Sequence, residues 1–218
     1  MTEGSVPTPA DTRCGFVAII GAPNAGKSTL VNALVGAKVT IVSHKVQTTR
    51  MPIRGIATKG AAQLVFIDTP GIFRPRRRLD RAMVDAAWGR AAEADVVALM
   101  VDAQKGIDED VARILDNIDR AAPKRILIVN KVDRIAEKDR LLKLVAELTD
   151  KASFDKVFMI SALSGSGVAH VRTYLAGNVP LGPWHYPEDE ISDAPMRVLA
   201  AEITREKIYE RLHQELPY

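Results

Sequence analysis

The chain has 218 residues, 47% of them hydrophobic and only 5% aromatic, with a formal net charge of +3. That suits one compact domain plus an appendage, with a core drawn mainly from Val, Ile, Leu and Ala. The single cysteine, Cys14, excludes an internal disulfide and fits a reducing cytosol; no apolar run is long enough to cross a membrane, and the charge is too mild to establish nucleic-acid binding.

Residues 1–13, MTEGSVPTPADTR, carry an early acid, two prolines and no basic start, so they read as a disordered leader rather than a signal peptide. GFVAIIG (15–21) reads as a buried strand, and a helix runs from Lys27 to a stop at Gly36. Residues 37–50 read as irregular. Two strands, roughly 52–58 and 63–68, are joined by KGAA, a link short enough to force an antiparallel pair.

Residues 79–92 read as a helix with Leu79, Met83, Ala86 and Ala87 on one face. The apolar run 94–103 ends in an acid; a helix closes with ILDNIDRAA, and KRILIVNK (124–131) is a further strand. A helix over 137–151, a strand at 156–161 and a helix over 166–177 follow. Short apolar strands alternating with helices predict an α/β fold, a mostly parallel six-stranded sheet covered on both faces. Gly21, Asp68, Asn130 and Ser161 each fall where a strand gives out, the edge at which such sheets bind ligands.

The domain expected at 14–177 is followed by an ordered linker, 178–194, rich in proline and carrying Trp184 and Tyr186. Over 195–218 a last helix is expected, capped by Asp193 and entered through Pro195. Met196, Leu199, Ile203, Ile208, Leu212 and Leu216 give it an apolar stripe.

GAPNAGKST (21–29) follows a strand and opens a helix, the context a phosphate loop requires. Gly21, Ala22, Pro23, Asn24, Ala25 and Gly26 curl the backbone so that successive N–H groups face one anion. Lys27 reaches the outer phosphates, Ser28 offers its hydroxyl to Mg²⁺, and Thr29 meets an inner phosphate. In DTPGI (68–72), Asp68 serves the Mg²⁺ site and Gly71 offers an N–H to a terminal phosphate, with Thr69 and Pro70 completing the turn. Ile72 cannot orient a water molecule, which excludes a mechanism resting on a polar side chain at that position.

NKVD (130–133) selects the base. Asp133 accepts from the ring N–H and exocyclic amine of guanine, a pair adenine lacks, so the site favours GTP over ATP. Asn130 ties the base loop to the phosphate loop, the Lys131 stem covers the purine face, and Ser161, Ala162 and Leu163 place the Ala162 N–H on the guanine O6. Arg74, Arg76, Arg77 and Arg78 form either a solvated run or a contact for RNA phosphates.

GAPNAGKS, QTTR, DTPG, NKVD and ISA together resemble the translation-factor-related branch of small GTPases, and KVTIVSHKVQTTR with the tail WHYPEDEISD and AAEITREKIYERLHQELPY brings the chain nearest to the bacterial Era family. The resemblance spans roughly residues 14–218. It implies a Ras-like P-loop GTPase domain, slow intrinsic hydrolysis of GTP to GDP and phosphate, and Mg²⁺ held by Ser28, Asp68 and a threonine of QTTR, Thr49 ahead of Thr48.

Lys27, Thr49, Gly71 and Asn24 would act in catalysis. Asn24 has two readings, a ligand for an assisting K⁺ or a residue that tightens the loop. The resemblance further implies a role in small ribosomal subunit assembly, 16S rRNA as partner, and a KH-type RNA-binding domain of which 195–218 would be only the first helix. A monomer in the cytoplasm, with an option of peripheral contact with the inner membrane, completes the expectation. The alternatives are a guanine-nucleotide-dependent binding module with negligible hydrolysis, and a tRNA-modification GTPase of the same branch.

Overall fold

Successive residues of a strand point to opposite faces of a sheet, so an unbroken apolar strand must be covered on both sides. Four runs of this chain meet that condition: β1 (Arg13–Gly21), β3 (Ala62–Asp68), β4 (Val96–Asp102) and β5 (Arg125–Asn130). A computed structural model describes residues 11–42, 54–75, 77–121 and 124–211. With β2 (Arg54–Lys59) and β6 (Lys156–Met159) these strands form one sheet in the order β2-β3-β1-β4-β5-β6. Every neighbouring pair is parallel except β2 with β3, which is antiparallel as the short connection requires.

The two faces carry separate cores. Val17, Ile19, Ala98, Met100, Ile126 and Ile128 pack with α1 (Lys27–Val35) and α5 (Val168–Asn178). Ala18, Ile20, Val97, Leu99, Leu127 and Val129 pack with α2 (Arg78–Glu93), α3 (Glu109–Asn117) and α4 (Lys138–Lys151). The α2 face differs from the expected one. Leu79 is 68% exposed and Ala86 is exposed, whereas Ala87 and Ala91 are buried with Val84 and Trp88 beside them. The helix is turned so that small residues meet the sheet, which lets its backbone come close.

Gln63 makes three of the bonds that fasten the segment after α5. Gln63 is fully buried on β3; its Oε1 accepts from the N–H groups of His185 (2.9 Å) and Tyr186 (3.0 Å), and its Nε2 donates to the Tyr186 carbonyl (2.8 Å). The Trp184 indole donates to the Ala61 carbonyl at 3.1 Å. Farther on, the Ile56 N–H donates to the Ile191 carbonyl at 2.9 Å, so this segment covers the outer edge of β2, which would otherwise expose unpaired backbone groups.

The last helix, α6 (Met196–Arg211), begins as expected after Pro195, whose carbonyl accepts from Val198 and Leu199. Asp193 is not seen capping it. That carboxylate accepts from the Arg54 N–H at 3.0 Å and pairs with the Arg54 guanidinium. Of the expected apolar stripe, Ile203 and Ile208 remain 39% and 40% exposed, while Leu212 and Leu216 lie outside the described residues. Among the described side chains of α6 the most buried is Glu206, which receives the Lys38 ammonium and the Val42 N–H. A carboxylate out of water needs charged or hydrogen-bonding partners, and this one has both.

Candidate nucleotide site

Strand ends β1, β3, β4 and β5 converge on one edge of the sheet, and the loops that leave them form the site. Gly21 ends β1 beside Met100 of β4, whose carbonyl occupies the space a Cβ would need. The loop then passes through Asn24, at φ +63°, and Gly26, at φ +103°. A side chain at Gly26 would be strained in that conformation and would collide with the Asn130 amide. These two constraints give the loop its curl.

Lys27 opens α1 and folds back into the loop, where its Nζ donates to the carbonyls of Gly21 (3.1 Å) and Ala22 (2.9 Å). Burial pulls its pKa from 10.5 down to about 8, an effect partly opposed by the Asp68 carboxylate. An ammonium kept at that cost, held by two carbonyls that bear no formal charge, is suited to an anion in the same loop. Thr29 lies in the same first turn of α1.

The Ser28 hydroxyl donates to the Asp68 Oδ2 at 2.7 Å, and Asp68 is fully buried. An alcohol and a buried carboxylate in contact are hard oxygen donors of the type Mg²⁺ prefers. Among the described residues no group of three or more His, Cys, Asp or Glu could hold a metal. That donor set suits an ion whose remaining ligands are phosphate oxygens and water. Thr49, the third expected ligand, lies outside the described residues, as does Thr48. The chain approaches that segment along residues 37–42, where Asn32 of α1 binds both the Val39 and Thr40 N–H groups at 2.9 Å and the Thr40 hydroxyl donates to the Ser28 carbonyl at 3.2 Å.

The DTPG turn lies against the phosphate loop. The Thr69 hydroxyl is buried and donates to the Ile19 carbonyl at 2.7 Å, so this side chain braces the turn and faces inward. A Cβ on Gly71 would lie 3.0 Å from Pro23 atoms, so glycine permits this close approach. The Ile72 N–H donates to the Gly21 carbonyl at 3.0 Å, and its side chain is buried with Ala18, Ile20 and Ala22. Isoleucine at this position is a core residue, packed in the same cluster as Ala22 of the phosphate loop. Beyond it, Arg74, Arg77 and Arg78 are exposed, Arg76 lies outside the described residues, and the Arg74 N–H is held by Asp110 at 3.2 Å.

Asn130 unites the base and phosphate sides. It is 2% exposed; its Nδ2 donates to the Ala25 carbonyl at 2.8 Å and its Oδ1 accepts from the Ala162 N–H at 2.9 Å. One amide thus fixes three loops. The Ala162 N–H, expected to meet guanine O6, is engaged here by Asn130, so a contact with O6 would have to share it. Ser161 is buried, with its Oγ accepting from the Ser164 N–H at 3.3 Å, whereas Leu163 is 77% exposed. Asp133 sits exposed in a single 3₁₀ turn directly after Lys131.

Lys131 does more than the sequence suggested. Its Nζ donates to the Asn24 carbonyl at 2.9 Å and pairs with Asp102 at 2.5 Å. Asp102 was not among the expected site residues. The signal was there: it ends β4 as Asp68 ends β3 and Asn130 ends β5, and it lies directly opposite Asn130 in the sheet register.

This geometry agrees with known proteins. Residues 16–131 match a family described as 50S ribosome-binding GTPase. The chain is 62% identical over 215 residues to the GTPase Era of Rhizobium meliloti (strain 1021), covering 99% of this chain and 67% of that protein. The chain belongs to the Era family of GTPases.

Era of Bradyrhizobium sp. (strain ORS 278) is 63% identical over 207 residues, covering 95% of this chain and 67% of its own length. Two solved Era structures superpose on this chain. One is in complex with MgGDPNP and nucleotides 1506–1542 of 16S ribosomal RNA, with a TM-score of 0.88, 39% identity, and coverage of 94% of this chain and 70% of that one. The other, an Aquifex aeolicus Era variant bound to GDP and AlF4⁻, gives a TM-score of 0.87 with the same identity and coverage. As a member of the Era family the chain is a GTPase with a Ras-like P-loop fold, converting GTP to GDP and phosphate.

Proposed function

We propose that this chain binds GTP with Mg²⁺ at the loop 21–29, hydrolyses it slowly, and uses the change of nucleotide state to govern contact with the small ribosomal subunit through 16S rRNA. The observation that carries the reading is Asn130, whose one buried amide bonds the phosphate loop at Ala25 and the base loop at Ala162. Lys27 would leave the Gly21 and Ala22 carbonyls for the outer phosphates. Ser28 and Asp68 would hold Mg²⁺, with Thr49 as the third ligand; when bound, Mg²⁺ neutralises charge that develops on the phosphate oxygens. The Gly71 N–H would meet the terminal phosphate, and Asp133 would select guanine.

Ile72 is buried in the core, so transition-state charge must be met by other groups. We assign that part to a K⁺ ion held by the Asn24 side chain, which stands exposed on a left-handed backbone at the loop's crest. Single-turnover GTP hydrolysis in matched K⁺ and Na⁺ buffers tests this: faster turnover in K⁺ is expected, and equal rates would remove the assignment.

For RNA, the support is an Era relative whose structure holds 16S rRNA nucleotides, and relatives that extend beyond the matched region. On this reading 14–177 is the GTPase domain, 178–194 its linker, and α6 with the residues after it the first helix of a KH-type RNA-binding domain. The exposed Arg74, Arg77 and Arg78 suit RNA phosphates. Retention of a 16S rRNA 3′ fragment by this chain, and its loss when these three are changed to alanine, would test that contact. The same reading has the protein working as a cytoplasmic monomer with access to the inner face of the membrane. Sedimentation and fractionation test those parts.

A further inference from the structure

We infer that Asp102 is a positioning residue for nucleotide binding: through the Lys131 ammonium it fixes the base loop to the phosphate loop before nucleotide arrives. Asp102 ends β4 with its side chain 6% exposed. One oxygen accepts from the Gln104 N–H at 2.9 Å, which closes the turn after the strand. The other meets Lys131 Nζ at 2.5 Å, and the same Nζ donates to the Asn24 carbonyl at 2.9 Å.

Both ends of that bridge are unusual. Lys131 and Asn24 are the two non-glycine residues among those described that have positive φ, +64° and +63°. Residues with side chains adopt that conformation at a cost, and such strain gathers where geometry is needed for function. A lysine left to itself is long and mobile, and its ammonium would turn to water or to any phosphate within reach. The carboxylate of Asp102 removes that freedom. With its Nζ held by Asp102 and the Asn24 carbonyl, the Lys131 side chain is kept reaching from the base loop to the phosphate loop, ready to cover the face of a purine bound by Asp133. Ordering these groups in advance lowers the cost of binding without acting on the bond that breaks, so the benefit falls on affinity and KM.

The inference rests on the guanine-nucleotide reading, and a double-mutant cycle separates the two. GDP affinity, and KM and kcat for GTP, are measured for the unaltered chain, Asp102→Asn, Lys131→Met and the double variant. Asp102→Asn keeps an acceptor for Gln104 and removes only the charge. It is expected to weaken GDP binding about tenfold, the size of coupling that contacting charged groups show. The loss is expected in KM rather than kcat, and adding Asp102→Asn to Lys131→Met should cost nothing more.

Additive losses, unchanged affinity in Asp102→Asn, or a loss confined to kcat would each overturn the inference. If Asp102→Asn does not fold, Lys131→Met alone decides, because unchanged GDP affinity in that variant would also overturn it. Failure of the unaltered chain to bind GDP would instead overturn the nucleotide reading itself.

Discussion

Raising the pH from 7 to 9 should weaken GDP binding through one group, Lys27. In the free protein burial holds its pKa at about 8 against an ordinary 10.5. Phosphate oxygens beside the ammonium would restore the charged form. At pH 7, a unit below that pKa, about ten free molecules in eleven are already charged and binding takes up almost no proton. At pH 9 only about one free molecule in eleven carries the charge, so binding must take up nearly one proton, and affinity falls by about tenfold, ~1.4 kcal/mol.

Stability of the nucleotide-free chain moves the opposite way. The unfolded chain keeps its proton up to pH 10.5, so between pH 8 and 10.5 it binds more protons than the folded chain, and the Lys27 contribution to stability rises with pH across that window. Calorimetry in two buffers of different ionisation enthalpy counts the proton, with guanosine titrated in parallel to subtract the ring N–H of the base. Equal affinity at pH 7 and 9 after that subtraction, or no proton uptake at pH 9, would refute the argument.

Other residues give equally definite outcomes. Asn130→Ala removes partners from the buried Ala25 carbonyl and Ala162 N–H, which should cost about 1–3 kcal/mol in stability for each group left unsatisfied and weaken GDP binding as well; thermal melts with and without GDP read both. Asp133→Asn should lower GDP affinity by at least ~100-fold while the melting temperature of the free chain stays within a degree or two, because Asp133 is exposed and its discrimination acts only on the base. Ser28→Ala should abolish the stabilisation of bound GTP by Mg²⁺, read as equal GTP affinity in Mg²⁺ and in chelator. Glu206→Ala should release α6, seen as faster amide exchange along 196–211 while exchange in β1 and β4 is unchanged.

The parts legible in the sequence were those in which a local motif dictates a local shape. The loop 21–29, Asp68 at a strand end and Asn130 opposite the phosphate loop all follow from glycine conformation and strand termination, and the structure brings them together. The parts that were not legible depend on partners distant in sequence. Asp193 can cap a helix by the local pattern, yet its carboxylate is engaged by the N–H and guanidinium of Arg54. The α6 stripe was legible as a pattern, but the bonds from Lys38 and the Val42 N–H to Glu206, across 168 and 164 residues, were not. Leu79 and Ala87 both fit a helical period on α2; the way the helix packs on the sheet, which buries Ala87 and leaves Leu79 exposed, is not written in that period. Ile72 could be read as a residue that does not activate water, but its burial with Ala18 and Ile20 required the fold.

The most direct test of the central claim is single-turnover cleavage of GTP, with ATP in parallel, by this chain in the presence of Mg²⁺. The account predicts slow release of phosphate from GTP alone, lost in Lys27→Ala. Equal cleavage of ATP, or GTP cleavage that survives Lys27→Ala, would contradict it.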